Sequence, residues 1–157
     1  MKIMNWVKLG LSIALTQIAG GIGAIATTSK ITTWYQGVVK PSFNPPNWIF
    51  GPVWTILFLL MGIAFYLVWN SENKGKTRAM KIFGAQLGLN VLWSFLFFGW
   101  EKPGIALIEI VALWVAIYLT IKAFLKVSKT AGRLLIPYLL WVSFASILNG
   151  AIYWLNK

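Results

Sequence analysis

Five apolar segments of about 20 residues each divide this chain, and they constrain its fold more than any other feature. They lie at roughly residues 6–26, 48–69, 80–99, 104–125 and 134–155. About 20 apolar residues is the length at which an α-helix crosses the hydrocarbon core of a bilayer. Backbone polar groups inside that core must be satisfied within the segment, as a helix does. The sequence therefore predicts an all-α membrane protein, with residues 1–157 forming one five-helix transmembrane domain.

Composition agrees with an integral, multi-pass protein of the cell membrane, since 59% of residues are hydrophobic and 11% are charged. The chain has no cysteine and no histidine, and its acidic residues number three. These absences remove the common nucleophiles, general bases and soft metal ligands. We therefore expect no metal, no cofactor and no catalytic residue of the usual kinds.

The net charge of +11 reflects membrane topology. Basic residues do not form a face interleaved with exposed aromatic residues, so a nucleic-acid partner is not expected. One end of the predicted bundle carries Lys2, Lys8, Lys74, Lys76, Arg78, Lys81, Lys122, Lys126, Lys129 and Arg133, and the other carries Lys30, Lys40, Lys102 and Lys157. By the positive-inside rule, the N-terminus is cytoplasmic and the C-terminus is outside. The first span also resembles a signal peptide, but Thr16 and Gln17 interrupt its apolar run, so we expect it to be retained.

A loop rich in proline and aromatic residues precedes the second apolar segment. Prolines at 41, 45, 46 and 52 disfavour regular helix before about residue 47. The loop, predicted at 27–47, and the helix start carry Trp34, Tyr35, Phe43, Trp48, Phe50 and Trp54. The sequence thus predicts a rigid loop that brings aromatic rings to the mouth of a transmembrane helix.

Helical periodicity sorts the spans into faces. Aromatic stripes are predicted on the second helix (Phe50, Trp54, Phe58, Met61, Phe65) and the fifth (Tyr138, Trp141, Ala145, Leu148, Asn149). On the third helix, Gln86, Asn90, Trp93 and Phe97 oppose a small-residue face that contains Gly84 and Gly88. The aromatic faces fit either a ligand pocket or an inert core. The glycine face fits either packing within the subunit or a dimer interface.

Several polar residues lie within the spans. Gln17 and Gln86 fit interhelical hydrogen bonds, and the first-span stripe Ser12, Thr16, Gly20, Ala24 and Thr28 fits intramolecular packing. Trp93, Trp114 and Trp141 lie away from the headgroup levels, so interfacial anchoring does not explain them. Glu109 is expected to pair with Lys102 or with a neighbouring helix, because no second intramembrane ionisable group accompanies it to form a proton relay.

A series of short motifs recurs in order along the chain: Trp34-Tyr35, Lys40-Pro41, Pro45-Pro46, Pro52-Val53-Trp54, Gln86-Leu87, Asn90, Trp93-Ser94, Pro103-Gly104, Glu109, Pro137-Tyr138, Trp141 and Leu148-Asn149. In these motifs residues 34–156 resemble the TspO/MBR family, the family of the mitochondrial translocator protein. The resemblance implies a five-helix bundle, commonly a homodimer, that binds porphyrin or haem, sterols and synthetic benzodiazepine-type ligands. The dimer interface is predicted at Gly84 and Gly88.

Carried over by position, the family's ligand pocket falls on Trp34, Tyr35, Trp48, Trp54, Phe58, Asn90, Trp93, Trp141, Ala145, Leu148 and Asn149. Tryptophan faces can stack on a flat ligand, and an amide can bond its carbonyl or propionate group. Phe43 stands where many family members have tryptophan. Because histidine is absent, histidine ligation of haem iron is excluded and free-base porphyrin is favoured. A sterol-recognition pattern at Leu148, Tyr153 and Lys157 is too weak to predict a sterol ligand.

Two function classes follow from these residues. The first is a receptor or transport protein that binds porphyrins and related hydrophobic molecules, with a role in stress response. The second is a catalyst of light-dependent porphyrin degradation, in which Trp48 or Trp54 would be the redox-active group. Binding is favoured because the chain lacks ordinary catalytic groups.

Overall fold

A computed structural model describes residues 4–157 of the chain, and that part contains helices and no strand. The α-helices are α1 (Trp6–Ile31), α2 (Trp34–Gly37), α3 (Asn47–Trp69), α4 (Lys76–Ser94), α5 (Pro103–Val127), α6 (Lys129–Leu134) and α7 (Ile136–Leu155). A π-helical turn, Phe95–Gly99, extends α4.

Among residues 4–157, five helical segments are long and apolar enough to cross a membrane, which confirms the predicted five-helix membrane fold. They are α1, α3, α4 with its π-helical turn, α5, and the segment Lys129–Leu155 that α6 and α7 form together. The last segment begins earlier than the predicted residue 134 and is interrupted at Leu135, next to Pro137. The third likewise begins at Lys76, before the predicted residue 80.

The first helix is longer than predicted and shortens the proline-rich loop. It continues to Ile31, so the segment placed in a loop from residue 27 begins as helix, and α2 adds one further turn. Thr27 and Thr28 donate hydrogen bonds to the carbonyls of Gly23 and Ala24, at 3.3 and 2.8 Å. Because these hydroxyls bond the preceding turn, the polar residues are accommodated within the helix.

Close packing joins α1 to α3. The Thr16 hydroxyl donates to the Phe58 carbonyl at 2.7 Å, and a Cβ placed on Gly62 would lie 2.8 Å from the Ile13 Cα. Ser12, Thr16 and Gly20 therefore pack within the subunit, as predicted. The other two residues of the predicted small-residue stripe, Ala24 and Thr28, are exposed, so the packing predicted for them is absent within the described residues.

The π-helical turn buries three consecutive side chains, Leu96, Phe97 and Phe98. It ends with the Trp100 N–H donating to the Phe95 carbonyl at 2.7 Å, five residues back. In a regular α-helix, successive side chains point about 100° apart around the helix axis. A π-helical turn is wider and contains one more residue than an α-helical turn, so successive side chains point closer together. Phe97 and Phe98 thereby both reach the interior.

The loop after α1 is fastened to the end of the bundle that also holds the C-terminus. Asn156 accepts a hydrogen bond from the Val39 N–H at 3.0 Å and donates to the Val39 carbonyl at 2.8 Å. Lys30 forms an ion pair with Glu101 at 2.6 Å, joining the end of α1 to the turn before α5. These contacts hold the loop over one end of the helices.

Candidate functional site

A cavity of about 490 Å³ lies among α1, α3, α4 and α7, beneath the loop. Its volume is within the range of small-molecule sites in proteins. The lining residues are Gln17, Gly20, Gly21, Gly23, Ala24, Thr27, Thr28, Ile31, Tyr35, Asn47, Trp48, Phe50, Gly51, Trp54, Thr55, Phe58, Asn90, Trp93, Ser94, Phe97, Phe98, Trp141, Phe144, Ala145, Leu148, Asn149 and Ile152.

Aromatic rings form the walls on the α3, α4 and α7 sides. The rings of Trp54 and Trp141 are perpendicular, with centroids 6.5 Å apart, and Phe50 contacts Trp141 edge to face at 6.2 Å. Trp93 stacks on Phe97 with centroids 5.1 Å apart. Such ring pairs hold one another in place and present flat apolar faces to the cavity.

The side of the cavity formed by α1 and α3 is less aromatic and is open. Gly21 and Ala24 on α1, and Gly51 and Thr55 on α3, border the cavity and are exposed. Gln17 bridges the two helices by donating to the Thr55 carbonyl at 3.1 Å. On the side of this bridge that contains Ile13 and Gly62, α1 and α3 are in close contact. The cavity therefore opens between these two helices, toward the surroundings of the bundle.

Asn90 belongs to a buried chain of hydrogen bonds. Its amide donates to the Tyr138 hydroxyl at 2.8 Å, and that hydroxyl donates to Gln86 Oε1 at 2.8 Å. The chain links α4 to α7, so the interhelical role predicted for Gln86 is present. Satisfying these groups inside the bundle avoids the cost of unpaired polar atoms in hydrocarbon.

Asn149 also bonds to the protein. Its Oδ1 accepts from the Trp93 indole N–H at 3.0 Å, and its Nδ2 donates to the Pro103 carbonyl at 2.8 Å. A ligand would meet an amide that already has partners on both its oxygen and its nitrogen. The geometry favours a positioning role for Asn149, which holds the Trp93 ring against the cavity.

The structure brings together nearly all of the predicted ligand residues. Those lining the cavity are Tyr35, Trp48, Trp54, Phe58, Asn90, Trp93, Trp141, Ala145, Leu148 and Asn149. Trp34 does not line it. The α2 turn directs Tyr35 inward, while Trp34 borders a separate cleft and packs edge to face on Phe97 with centroids 5.7 Å apart. Trp34 thus supports the cavity wall from behind.

Sequence reasoning missed the contribution of α1. The small residues that form this wall include Gly20, Gly21, Gly23 and Ala24. Gly20 and Ala24 belong to the small-residue stripe that the sequence pattern indicated as helix packing, whereas Gly21 and Gly23 lie outside that stripe. Phe98 was missed as well, because regular helical periodicity does not place it beside Phe97; the π-helical turn does.

Tyr35 closes the cavity at the loop end. Its ring is buried, and its hydroxyl donates to Asn44 Oδ1 at 2.7 Å. Burial raises the pKa of Tyr35 to about 12, opposed in part by the bond to Asn44. The hydroxyl therefore remains protonated at physiological pH and fastens the proline-rich loop to α2.

Two residues singled out in the sequence lie outside the cavity. Trp114 donates to the Ser143 hydroxyl at 2.7 Å and stacks on Tyr118, so it joins α5 to α7. Glu109 is buried, and neither of its carboxyl oxygens has a hydrogen-bond partner within the described residues. The expected pairing of Glu109 with Lys102 or a neighbouring helix is therefore wrong.

The sterol-recognition pattern does not form one site. Leu148 lines the cavity, whereas Tyr153 and Lys157 border the separate cleft near Trp34. The Lys157 ammonium also lies 3.0 Å from the centroid of the Trp154 ring. Because these three residues are divided between two surfaces, they cannot surround a single ligand. The pattern therefore does not predict a sterol site in this chain.

The chain is similar in sequence to a family of known proteins. Residues 12–155 match the TspO/MBR family. The chain is 48% identical to the Tryptophan-rich protein TspO of Archaeoglobus fulgidus, over 98% of this chain and 99% of the relative. It is 37% identical to the Tryptophan-rich sensory protein of Cereibacter sphaeroides, over 93% and 89% of the two chains. It is 39% identical to the human Translocator protein, over 76% and 73%.

Proposed function

Because the chain belongs to the TspO/MBR family, we propose that it is a membrane receptor or transport-type protein that binds porphyrins and related hydrophobic ligands in the aromatic cavity. A stress-response role fits such binding, because free porphyrins are photoreactive. Sterols and benzodiazepine-type compounds belong to the same apolar class of ligand. The proposal places Trp54, Trp93 and Trp141 in contact with the ligand.

The observation that best supports this proposal is the cavity that the perpendicular rings of Trp54 and Trp141 line together. A porphyrin is flat and largely apolar, and indole faces offer both apolar area and stacking geometry. The opening between α1 and α3 suits a ligand that arrives dissolved in lipid. The amides of Asn90 and Asn149 in the cavity wall bond to the protein, which fits recognition by shape and ring contact.

Light-dependent porphyrin degradation is the alternative function. Trp48 borders the cavity and is 74% exposed, and Trp54 lies inside it, so both could contact a bound porphyrin. The sequence contains no histidine, cysteine or aspartate to act as general base or nucleophile. Binding without chemical conversion therefore remains the function that we propose.

Titration of the purified protein with protoporphyrin IX in the dark tests binding. We expect saturable quenching of tryptophan fluorescence by the wild type. Trp141→Ala should weaken binding at least tenfold, because it removes one of the two perpendicular rings. Trp154→Ala, which changes an exposed ring near the C-terminus, serves as the control. Analysis of the porphyrin after illumination then decides whether the wild type also degrades it.

We also propose that two subunits meet along α4. Within residues 4–157, a Cβ added at Gly84 or Gly88 would have no heavy atom of a neighbouring element within 4 Å, and both glycines are exposed. Packing within the subunit therefore does not require these glycines. Close approach of a second helix does, since small residues let backbones come together in membranes.

A further inference from the structure

The outer side of α5 carries a column of aromatic and basic side chains that lies outside the cavity. Trp114, Tyr118 and Lys122 follow one another at intervals of four residues, so they lie on one face of the helix. Tyr118 is 42% exposed, and its neighbours Val115 and Leu119 are exposed as well. Because α5 is a membrane-spanning helix, an exposed face of its central turns contacts lipid. The α5 column therefore borders the bilayer.

The two rings of the α5 column are fixed in place. Trp114 and Tyr118 stack nearly parallel, with an interplanar angle of 8° and centroids 5.8 Å apart. The Trp114 indole N–H donates to the Ser143 hydroxyl at 2.7 Å, which anchors the pair to α7. A stacked pair held in this way presents a flat apolar surface against which a lipid chain can pack.

The third member of the column, Lys122, places its charge inside the span. Its ammonium lies 5.4 Å from the centroid of the Tyr118 ring. Tyr118 precedes Val127, the last residue of α5, by nine residues, a rise of about 13 Å. A lysine near a helix end commonly extends toward the headgroups, whereas this one is turned toward the middle of the helix. The ring attracts the cation but leaves its charge without a counter-charge.

No carboxylate among residues 4–157 supplies that counter-charge. Glu101 pairs with Lys30 at the opposite end of the bundle, and the carboxyl oxygens of Glu109 are buried without a partner. No salt bridge within the same residues joins Glu72 to Lys122. A lone cation at this depth is costly in hydrocarbon. Lys122 therefore needs an anion from outside the chain.

More positive charge surrounds the end of the α5 column. Lys126 lies one turn beyond Lys122, and Lys129 begins α6; all three lysines are exposed. The two helices pack tightly here, because a Cβ on Gly132 of α6 would collide with the Leu125 side chain of α5. Clustered lysines at the end of a membrane helix attract anionic headgroups. The corner between α5 and α6 thus continues the charge of the column to the headgroup level.

We propose that the α5 column and this corner form a binding site for one anionic phospholipid of the leaflet at the basic end of the bundle. The phosphate accepts hydrogen bonds from the ammonium groups of Lys122 and Lys126, and an acyl chain lies along the rings of Trp114 and Tyr118. A zwitterionic phospholipid has the same phosphate but carries its own ammonium, so it gains less from the lysines. The site is separate from the cavity and does not depend on porphyrin binding.

Native mass spectrometry in detergent tests the site by measuring the affinity of the first phosphatidylglycerol or phosphatidylcholine bound. We expect the wild type to prefer phosphatidylglycerol. Lys122→Gln should weaken phosphatidylglycerol binding about fivefold, the effect of one lysine at a lipid surface, and leave phosphatidylcholine nearly unchanged. Lys122→Arg keeps the charge and should bind like the wild type. Lys74→Gln, which removes a charge from an exposed loop at the same end, is the matched control and should also bind like the wild type.

A second measurement locates the lipid on the wild-type protein. Phosphatidylglycerol with a photoreactive diazirine on one acyl chain should crosslink to α5 between Trp114 and Lys122. Equal phosphatidylglycerol affinity of Lys122→Gln and the wild type would overturn the proposal. An equal loss in Lys74→Gln would also overturn it, because the overall charge of the basic end would then govern binding. Crosslinks confined to other helices would overturn it whether or not Lys122→Gln folds.

Discussion

The indole N–H of Trp93 donates a hydrogen bond to Asn149 Oδ1 at 3.0 Å, joining α4 to α7 beside the cavity. The same Asn149 side chain donates to the Pro103 carbonyl at 2.8 Å, at the start of α5. One amide thus fixes the relative positions of three helices, and with them the ring of Trp93.

Asn149→Ala should lower the stability of the bundle. The substitution leaves the Trp93 N–H and the Pro103 carbonyl without these partners, and a buried unsatisfied group costs about 1–3 kcal/mol. Unfolding in mixed SDS micelles, followed by far-UV circular dichroism, measures the change. Ser146→Ala is the control, because Ser146 bonds only to the Val142 carbonyl of its own helix. Equal stability of the two variants would contradict the role given to Asn149.

Tyr35→Phe should remove a source of alkaline instability. The folded state raises the pKa of Tyr35 from 10.0 to about 12, so only the unfolded chain ionises this hydroxyl at intermediate pH. The wild type therefore loses stability as pH rises from about 10 to about 12, and Tyr35→Phe escapes that part of the loss. The same SDS titration at pH 9 and pH 11.5 compares them. An identical loss of stability in both proteins would show that Tyr35 does not contribute to the alkaline instability.

Much of this architecture could be predicted from sequence because its signals are local. Runs of apolar residues gave the five spans, and the period of 3.6 residues put Trp54, Phe58 and Trp141 on inward faces. The contribution of α1 could not be predicted in this way, since a glycine that packs against Phe58 and a glycine that borders a cavity look alike in sequence. The partners of Asn149 depend on where α5 begins, which periodicity does not reveal. The inward position of Phe98 depends on a π-helical turn, which the period of 3.6 residues does not indicate.

Cysteine labelling tests the orientation in the membrane that charge predicts. The native chain has no cysteine, so Ser42→Cys in the loop and Lys76→Cys at the start of α4 each introduce a single thiol. On intact cells, a membrane-impermeant maleimide should label position 42 and spare position 76, because most basic residues lie at the end that contains Lys76. Permeabilised cells, in which both positions should react, provide the control. Labelling of position 76 without labelling of position 42 would show that the orientation in the membrane is the reverse of the predicted one.

Replacing Gly84 and Gly88 together with leucine should separate the subunits. The added side chains project from a face that meets no other described residue of the subunit, so the fold and porphyrin affinity should persist. Dimerisation should weaken by about 3 kcal/mol, about a hundredfold in affinity. Light scattering in detergent measures the oligomeric state. Gly10→Leu is the control, since Gly10 is equally open but lies on α1. A double variant that stays dimeric would place the interface on another helix.

Dark titration of Ala145→Thr with protoporphyrin IX tests the central claim most directly. Ala145 lines the cavity, whereas Ile147, two residues later on α7, is 65% exposed on the outer face. Threonine at 145 adds atoms and a hydroxyl inside the cavity, and we expect it to raise the dissociation constant at least tenfold with an unchanged circular dichroism spectrum. Ile147→Thr places the same side chain on the outer face and should bind like the wild type. If Ala145→Thr binds protoporphyrin as tightly as Ile147→Thr does, the ligand site is not this cavity.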